Sequence, residues 1–284
     1  MIHGPRRKAR LGALVSLLTV ALTVGYSAPA SPKTSITVVK DVIYAVNEGG
    51  PLALDIYYPT ESWGHRSILA IHGGSWRRGD KSDWGWVARK LARGGFAVFV
   101  ANYRLAPPGG AATYPTPVED LRTAWGWMRQ NAARYHGDAE NIAFAGSSAG
   151  GHLGLVLASE LSGSPDGPKG VVGLSPPTDL ATMGVEGPLK WAVEDHIGCS
   201  YRGCPGTYDV ASPVNRVRST DPPTFLAYST DELIPLSHGE VLRDRLNEAG
   251  VVNRFVVIEG TDHALRIAGE VLPKAMRFLR HNMI

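Results

Sequence analysis

Ser148 stands at the centre of the pentapeptide Gly146-Ser147-Ser148-Ala149-Gly150, between the apolar run Ile142–Ala145 and a helical pattern reaching about Leu161. A serine hydroxyl is a weak nucleophile and has to be exposed and held within reach of a base before it attacks a carbonyl. A sharp turn between a strand and a helix provides that exposure, and the small flanking residues let the strained backbone pass. The helix start beneath it also favours negative charge developing at the site. The competing reading is an ordinary helix start carrying an inert serine. Ser147 is the rival hydroxyl, but it occupies a flank and not the apex.

A second group lies 76 residues earlier, in His72-Gly73-Gly74-Ser75-Trp76, directly after the apolar run Ser67–Ile71. Attack on an acyl carbonyl creates an oxyanion, and backbone donors aimed at it are among the largest contributions to catalysis. Glycines bring N–H groups to a substrate without side chains in the way, so the N–H groups of Gly73, Gly74 and Ala149 are the expected oxyanion hole. The position of His72 suits it to ordering this loop. Trp76 is assigned to shaping the substrate pocket or packing beside it.

The base and its partner come late. Asp231 follows the predicted strand Thr224–Tyr228, and His263 follows the one ending at Ile258. Both then sit at C-terminal strand ends, on the same edge as Ser148, and the chain order Ser, Asp, His is that of one hydrolase architecture. His263 is expected to take the Ser148 proton, with Asp231 fixing its tautomer. Asp262 adjoins His263, but adjacent side chains on a turn usually point apart. Glu232 could replace Asp231 only with a shifted loop. His3, His65, His72, His136, His152, His196 and His238 lack this combination of strand-end placement and chain order, and His152, in the helix after Ser148, is read as structural.

These positions need a scaffold of alternating elements. Strands are expected at 36–40, 52–58, 67–71, 96–101, 142–145, 171–174, 224–228 and 254–258, with helices over 84–93, 117–135, from the Gly146–Gly150 turn to about 161, and over roughly 236–249 and 264–281. Continuous apolar strands separated by helical patterns predict an α/β domain, a mostly parallel central sheet covered by helices on both faces. The first two strands, joined at Asn47–Gly50, should be antiparallel at one edge. Segment 178–215 breaks the rhythm, carries no clear strand and follows a strand's C-terminal end, where ligands of such sheets lie. It is read as a small insertion over the site, against the alternative of a surface excursion. Trp76, Trp84, Trp86 and Trp191 are candidates for an acyl or aryl pocket, with packing as the competing role.

The first residues ask for separate treatment. Arg6, Arg7, Lys8 and Arg10 precede an apolar run from Leu11 to Gly25 and the small residues Ala28-Pro29-Ala30, the pattern of a signal peptide over 1–30 ahead of a 31–284 catalytic domain. The run is shorter than a membrane span requires, although a retained signal anchor stays open. Export would make the protein secreted or extracytoplasmic. The chain's net charge of +3 belongs to this segment, since its four basic residues leave 25 basic against 26 acidic in the remainder. Charge therefore gives no reason to expect a nucleic-acid partner. The two cysteines, Cys199 and Cys204, are expected to form a local disulfide in an exported protein, in preference to a metal site with too few ligands.

Taken together the motifs resemble the carboxylesterase/lipase branch of the α/β-hydrolase superfamily, close to hormone-sensitive-lipase-like and feruloyl-esterase-like (BD-FAE) hydrolases. The resemblance runs from Leu52–Tyr57 through His72–Trp76, Tyr103–Ala106, Pro115–Leu121, Gly146–His152 and Asp231–Pro235 to His263. It implies an α/β-hydrolase fold, a Ser148–Asp231–His263 triad, an oxyanion hole at Gly73, Gly74 and Ala149, and hydrolysis of small carboxylic esters. No metal and no organic cofactor is implied, and no stable membrane partner. Ser229, where relatives often have glycine, and Ser75, in place of a third loop glycine, are the departures. Amidase activity of the arylformamidase kind and peptidase activity are the rival chemistries. A non-catalytic binding protein is the third reading, disfavoured because each expected catalytic residue is present. The absence of a long apolar lid favours short or medium acyl groups.

Overall fold

Strands β3 (His65–Ile71), β4 (Ala97–Ala101) and β5 (Gly137–Ser147) lie parallel at the middle of the sheet, with β3 between the other two. Their side chains alternate between two hydrophobic layers, as the two-residue strand period demands. Leu69, Ile71, Phe99 and Phe144 face one layer, and Ile68, Ala70, Val98, Val100 and Ala143 the other. The first layer is closed by α2 (Thr116–Asn131), α3 (Ala149–Leu161) and α7 (Leu236–Glu248), which contribute Leu121, Leu153 and Leu242. The second is closed by α1 (Gly85–Arg93) and α8 (Ala268–Asn282), through Leu91 and Val271.

The computed structural model describes residues 1, 2, 4, 34–106, 112–185 and 187–283, and Lys33–Ile284 forms one compact unit. The proposed signal peptide lies almost wholly outside the described residues. The eight-stranded sheet is completed by β1 (Ile36–Asn47), β2 (Gly50–Pro59), β6 (Val171–Leu174), β7 (Thr224–Ser229) and β8 (Asn253–Ile258). Its order is β1-β2-β4-β3-β5-β6-β7-β8; β1 pairs antiparallel with β2, and β2 antiparallel with β4, while the remaining pairs are parallel. The expected α/β architecture, with helices on both faces and an antiparallel pair at one edge, is what the chain adopts.

Strand register positions the site. Ile71 lies opposite Gly146, Ser147 opposite Leu174, Leu174 opposite Ala227, and Ser229 opposite Ile258. The loops after β3, β5, β6, β7 and β8 therefore leave the sheet at one edge, where ligands of such sheets bind. Two elements differ from expectation. β5 starts at Gly137 and not 142, because Asp138 caps a register break by accepting hydrogen bonds from the N–H groups of Glu140 (2.8 Å) and Asn141 (3.3 Å). The predicted helix over 117–135 ends at Asn131 and tightens into a 3₁₀ turn over Ala132–Tyr135, closed by His136 at φ 59°.

The described residues of 178–215 form three short α-helices, α4 (Leu180–Val185), α5 (Lys190–Ile197) and α6 (Pro205–Ala211), and a 3₁₀ turn over Pro213–Asn215, with the expected Cys199–Cys204 disulfide between α5 and α6. No helix among the described residues is long and apolar enough to cross a membrane.

Candidate active site

β5 runs into α3 through Ser148, whose backbone adopts φ 52° and ψ −123°. Non-glycine residues rarely hold a positive φ, and such strain concentrates at functional turns. Sterics explain both flanking glycines. A Cβ at Gly146 would lie 2.3 Å from the Gly150 carbonyl oxygen, and one at Gly150 would lie 2.3 Å from the carbonyl oxygens of both Ile71 and His72. The turn is thus wedged against the end of β3, which brings Ser148 and the His72–Gly74 loop together. The Ser148 N–H is used structurally, donating to the Leu174 carbonyl at 2.8 Å. Ala149 is the first residue of α3, so its N–H has no acceptor within the helix.

Gly73 and Gly74 line the same cleft as Ser148 and His263, an open depression of ≈520 Å³. Among the described residues the N–H groups of Gly73 and Gly74 donate to no protein acceptor. Gly74 sits at φ 118° with the Arg78 carbonyl where a Cβ would be, so only glycine fits there. His72 orders this loop from behind. Its Nδ1 lies 2.8 Å from the Gly73 carbonyl oxygen and its ring stacks on Tyr103 at 4.4 Å, while the Tyr103 hydroxyl donates to the His72 carbonyl. Burial pulls the His72 imidazole below the ordinary histidine value, as befits a neutral hydrogen-bond donor.

The acid is where structure and sequence part. His263 Nδ1 is hydrogen-bonded to Oε2 of Glu232, a carboxylate whose side chain is fully buried. The other oxygen, Oε1, accepts from the Ser229 N–H at 2.8 Å and from the Ser175 hydroxyl at 2.7 Å. Ser175 Oγ in turn accepts from the N–H of Ala264, next to His263, at 3.0 Å. Asp231, expected in this place, is exposed. The reason lies in the backbone. Thr230 N–H donates to the Ile258 carbonyl and Asp231 N–H to that of Gly260, so β7 stays pinned beside β8 for two further residues. That pairing leaves Asp231 outside, and the next side chain, longer by one methylene, enters beneath the histidine. Asp262 is also exposed, and its carbonyl accepts from Ser229 Oγ.

Trp76 needs correction too. It is 1% exposed and does not line the cleft. Ser75 and Trp76 have φ of 55° and 59°, a reversal that turns the indole into the protein. There its Nε1–H donates to His152 Nδ1 at 3.1 Å and its ring stacks on His196 at 4.6 Å. Since indole can only donate, His152 Nδ1 accepts and its Nε2–H donates to the Ala211 carbonyl at 2.8 Å. His152 is thus a neutral structural histidine, pulled down to about 4 by burial. Trp84 is buried and donates to Ser147 Oγ, whereas Trp86 and Trp191 are exposed; none of them lines the cleft.

No described residue of 178–215 lines the cleft either. The segment grips the back of the glycine loop instead, through His196 on Trp76, Asp195 paired with Arg77 at 3.2 Å, and Ala211 on His152. Ser175, Arg78 and Arg266 are the site residues that the sequence reading did not name, and Glu232 was weighed there only as the second choice to Asp231. For Glu232 the signal was present as a second carboxylate beside the first. For Ser175, next after β6 at φ 51°, only its strand-end position could have pointed to it. Among the described residues no group of three or more His, Cys, Asp or Glu side chains is placed to hold a metal ion.

A serine on a strained strand-to-helix turn, a carboxylate-held histidine and a glycine loop at one sheet edge define an α/β-hydrolase with a serine nucleophile. The chain belongs to the BD-FAE family, whose sequence pattern matches residues 54–246. It is similar to the carboxylesterase/phospholipase LipF of Mycobacterium tuberculosis strain ATCC 25618 / H37Rv, with 26% identity over 317 residues, covering 98% of this chain and 80% of that protein. It is also similar to the versiconal hemiacetal acetate esterase of Dothistroma septosporum, with 31% identity over 231 residues, covering 70% of this chain and 67% of that protein. Among solved structures, a truncated carbohydrate esterase from gut microbiota superposes with a TM-score of 0.78 at 23% identity, covering 90% of this chain and 99% of its own. Esterase 2 of Thermogutta terrifontis gives 0.67 at 20% identity, covering 88% and 93%. At these identities the structural likeness establishes the fold.

Proposed function

We propose that this protein hydrolyses carboxylic esters through an acyl-Ser148 intermediate, with His263 as base and acid and Glu232 as its partner. One observation carries the reading: Ser148 and His263 share a single cleft, and the histidine's far nitrogen is held by a buried carboxylate. With Nδ1–H donated to Glu232, Nε2 is the ring's free base and takes the Ser148 proton as Oγ attacks the acyl carbon. The oxyanion that forms is met by the N–H groups of Gly73, Gly74 and Ala149. Collapse of the tetrahedral intermediate expels the alkoxide, which receives the proton from His263. Water then attacks the acyl-enzyme, giving its proton to His263, and Ser148 leaves with that proton restored. The curated relatives named above carry esterase names, which supports ester over amide chemistry.

The cleft's apolar wall is short, formed by Leu233, Ala264 and Leu265, and suits short or medium acyl groups. The basic and then apolar N-terminal sequence supports export of the mature chain. Fluorophosphonate labelling of the wild type and its loss in Ser148→Ala, together with loss of 4-nitrophenyl ester hydrolysis by about 10³-fold or more, test the mechanism. Retained turnover in Ser148→Ala would end it. Faster turnover of anilides than of matched esters would transfer the assignment to amides.

A further inference from the structure

The cleft around Ser148 contains two arginines that the hydrolytic mechanism does not use, Arg78 and Arg266, with Asp83 as the one acidic residue in its lining. Each arginine is tied by its backbone to a catalytic loop. Arg78 N–H donates to the Gly74 carbonyl at 3.1 Å, and its Cγ lies 3.2 Å from where a Cβ of Gly74 would stand. Arg266 N–H donates to the His263 carbonyl at 3.1 Å, one turn beyond the base. Arg78 thus lines the cleft on its glycine-loop side and Arg266 on its histidine side. Neither forms an ion pair or a side-chain hydrogen bond among the described residues, although Arg77, next in the chain, pairs with Asp195. Asp83 offsets them only in part, as one carboxylate against two arginines in the lining; its Oδ2 also accepts from the Asp80 N–H at 3.1 Å in a helix-capping pair, which holds that side chain in place. A concave site with an excess of fixed positive charge concentrates anions and orients their acidic ends. Guanidinium groups suit this role because they bind carboxylate, sulfate and phosphate oxygens in a planar, two-pronged manner.

Resting on the esterase reading, we infer that the cleft selects esters that carry an acidic group, with Arg78 and Arg266 as the residues that read it. Neutral esters of the same size fill the cleft and leave both guanidinium groups hydrated. Acidic esters replace that water with a charge-assisted contact.

The test compares matched pairs. One pair, 4-nitrophenyl hexanoate and the mono-4-nitrophenyl ester of adipic acid, places the charge on the acyl side. The other, methyl 4-acetoxybenzoate and 4-acetoxybenzoate, places it on the leaving group. Rates are divided by those of hydroxide-catalysed hydrolysis to remove intrinsic reactivity. The expected result is an acidic-to-neutral ratio in kcat/KM of about tenfold in at least one pair at low salt, falling several-fold in about 0.5 M NaCl. Arg78→Gln and Arg266→Gln should each lower that ratio about threefold, and the double variant about tenfold. A ratio near unity in both pairs, or one that the double variant leaves unchanged, overturns the inference while leaving the esterase assignment standing. An equal loss on both members of a pair would make the arginines general supports of the oxyanion and also overturn it. Turnover of none of the four esters, with no fluorophosphonate labelling, would remove the esterase reading itself.

Discussion

His263 Nδ1 is hydrogen-bonded to Glu232 Oε2, while Asp231, one residue earlier, lies in solvent. The carboxylate that meets the histidine is buried and receives two further hydrogen bonds, from Ser229 N–H and Ser175 Oγ. Such a carboxylate fixes the ring's tautomer and stabilises the imidazolium that forms during attack. Glu232→Gln should therefore lower kcat by about 10³- to 10⁴-fold. Asp231→Asn and Asp262→Asn should stay within about twofold of wild type, as surface changes outside the site do. Steady-state kinetics on one neutral ester decides among the three, and a larger loss from Asp231→Asn would restore the sequence-based choice.

That choice shows where sequence reasoning reached its limit. That Ser148, His263 and the glycine loop meet in one cleft was legible because each occupies a strand end and has a distinctive local pattern. The carboxylate beside His263 was not, since Asp231 and Glu232 are adjacent acidic residues on the same loop. Only the two backbone bonds to Ile258 and Gly260 settle which side chain turns inward. Trp76 was misjudged for a similar reason. Its motif places it beside the cleft, but successive positive φ angles at Ser75 and Trp76 reverse the chain and bury the indole. The mostly parallel sheet, its antiparallel edge and helices on both faces followed from the alternation of apolar strands and helical patterns, whereas the early start of β5 depended on one side chain, Asp138, capping a polar stretch.

Ser175 links Glu232 to the loop that carries His263. Its hydroxyl donates to Glu232 Oε1 and accepts from Ala264 N–H, and the side chain is fully buried. Ser175→Ala leaves a buried N–H and a carboxylate oxygen each short of a partner. The expected cost is about 2 kcal/mol in stability, typical of unsatisfied buried groups. We expect kcat to fall about tenfold with little change in KM, because the loss acts on base orientation and not on substrate contact. Urea denaturation and a kcat against KM comparison check both halves, and an unaltered kcat would show that the link is structural only.

Acid should destabilise the fold before it reaches most carboxylates. His152 is held neutral by burial, at about 4, and burial also depresses His196, whose ring is fully enclosed against Trp76. A histidine in the unfolded chain titrates near 6.5, so between about 4 and about 6.5 the unfolded state binds more protons than the folded one. Stability is fully present above about 6.5 and is lost as pH falls through that window, by up to about 3 kcal/mol from His152 alone. His152→Gln keeps a donor for the Ala211 carbonyl and removes the titration. Its unfolding free energy should be lower than wild type at pH 7 but should fall less steeply towards pH 4.5. Parallel slopes would show that His152 does not drive the acid sensitivity.

The disulfide separates stability from catalysis. Cys199 and Cys204 close a loop five residues apart in sequence, within a segment that contributes no described residue to the cleft. Loop-closure entropy for so short a loop is worth about 2 kcal/mol, less than for a long one. Replacing both cysteines by serine should lower Tm by a few degrees, on the scale expected for a domain of this size. The same segment holds His196 against Trp76 and Asp195 against Arg77. Loosening it acts on the glycine loop from behind, without removing a substrate contact. For a small neutral ester, kcat/KM of the double variant should stay within about threefold of wild type at a temperature where both remain folded. A collapse of activity without a drop in Tm would mean that the disulfide loop itself shapes the reactive site, and that the grip on Trp76 positions Gly73 and Gly74 during turnover.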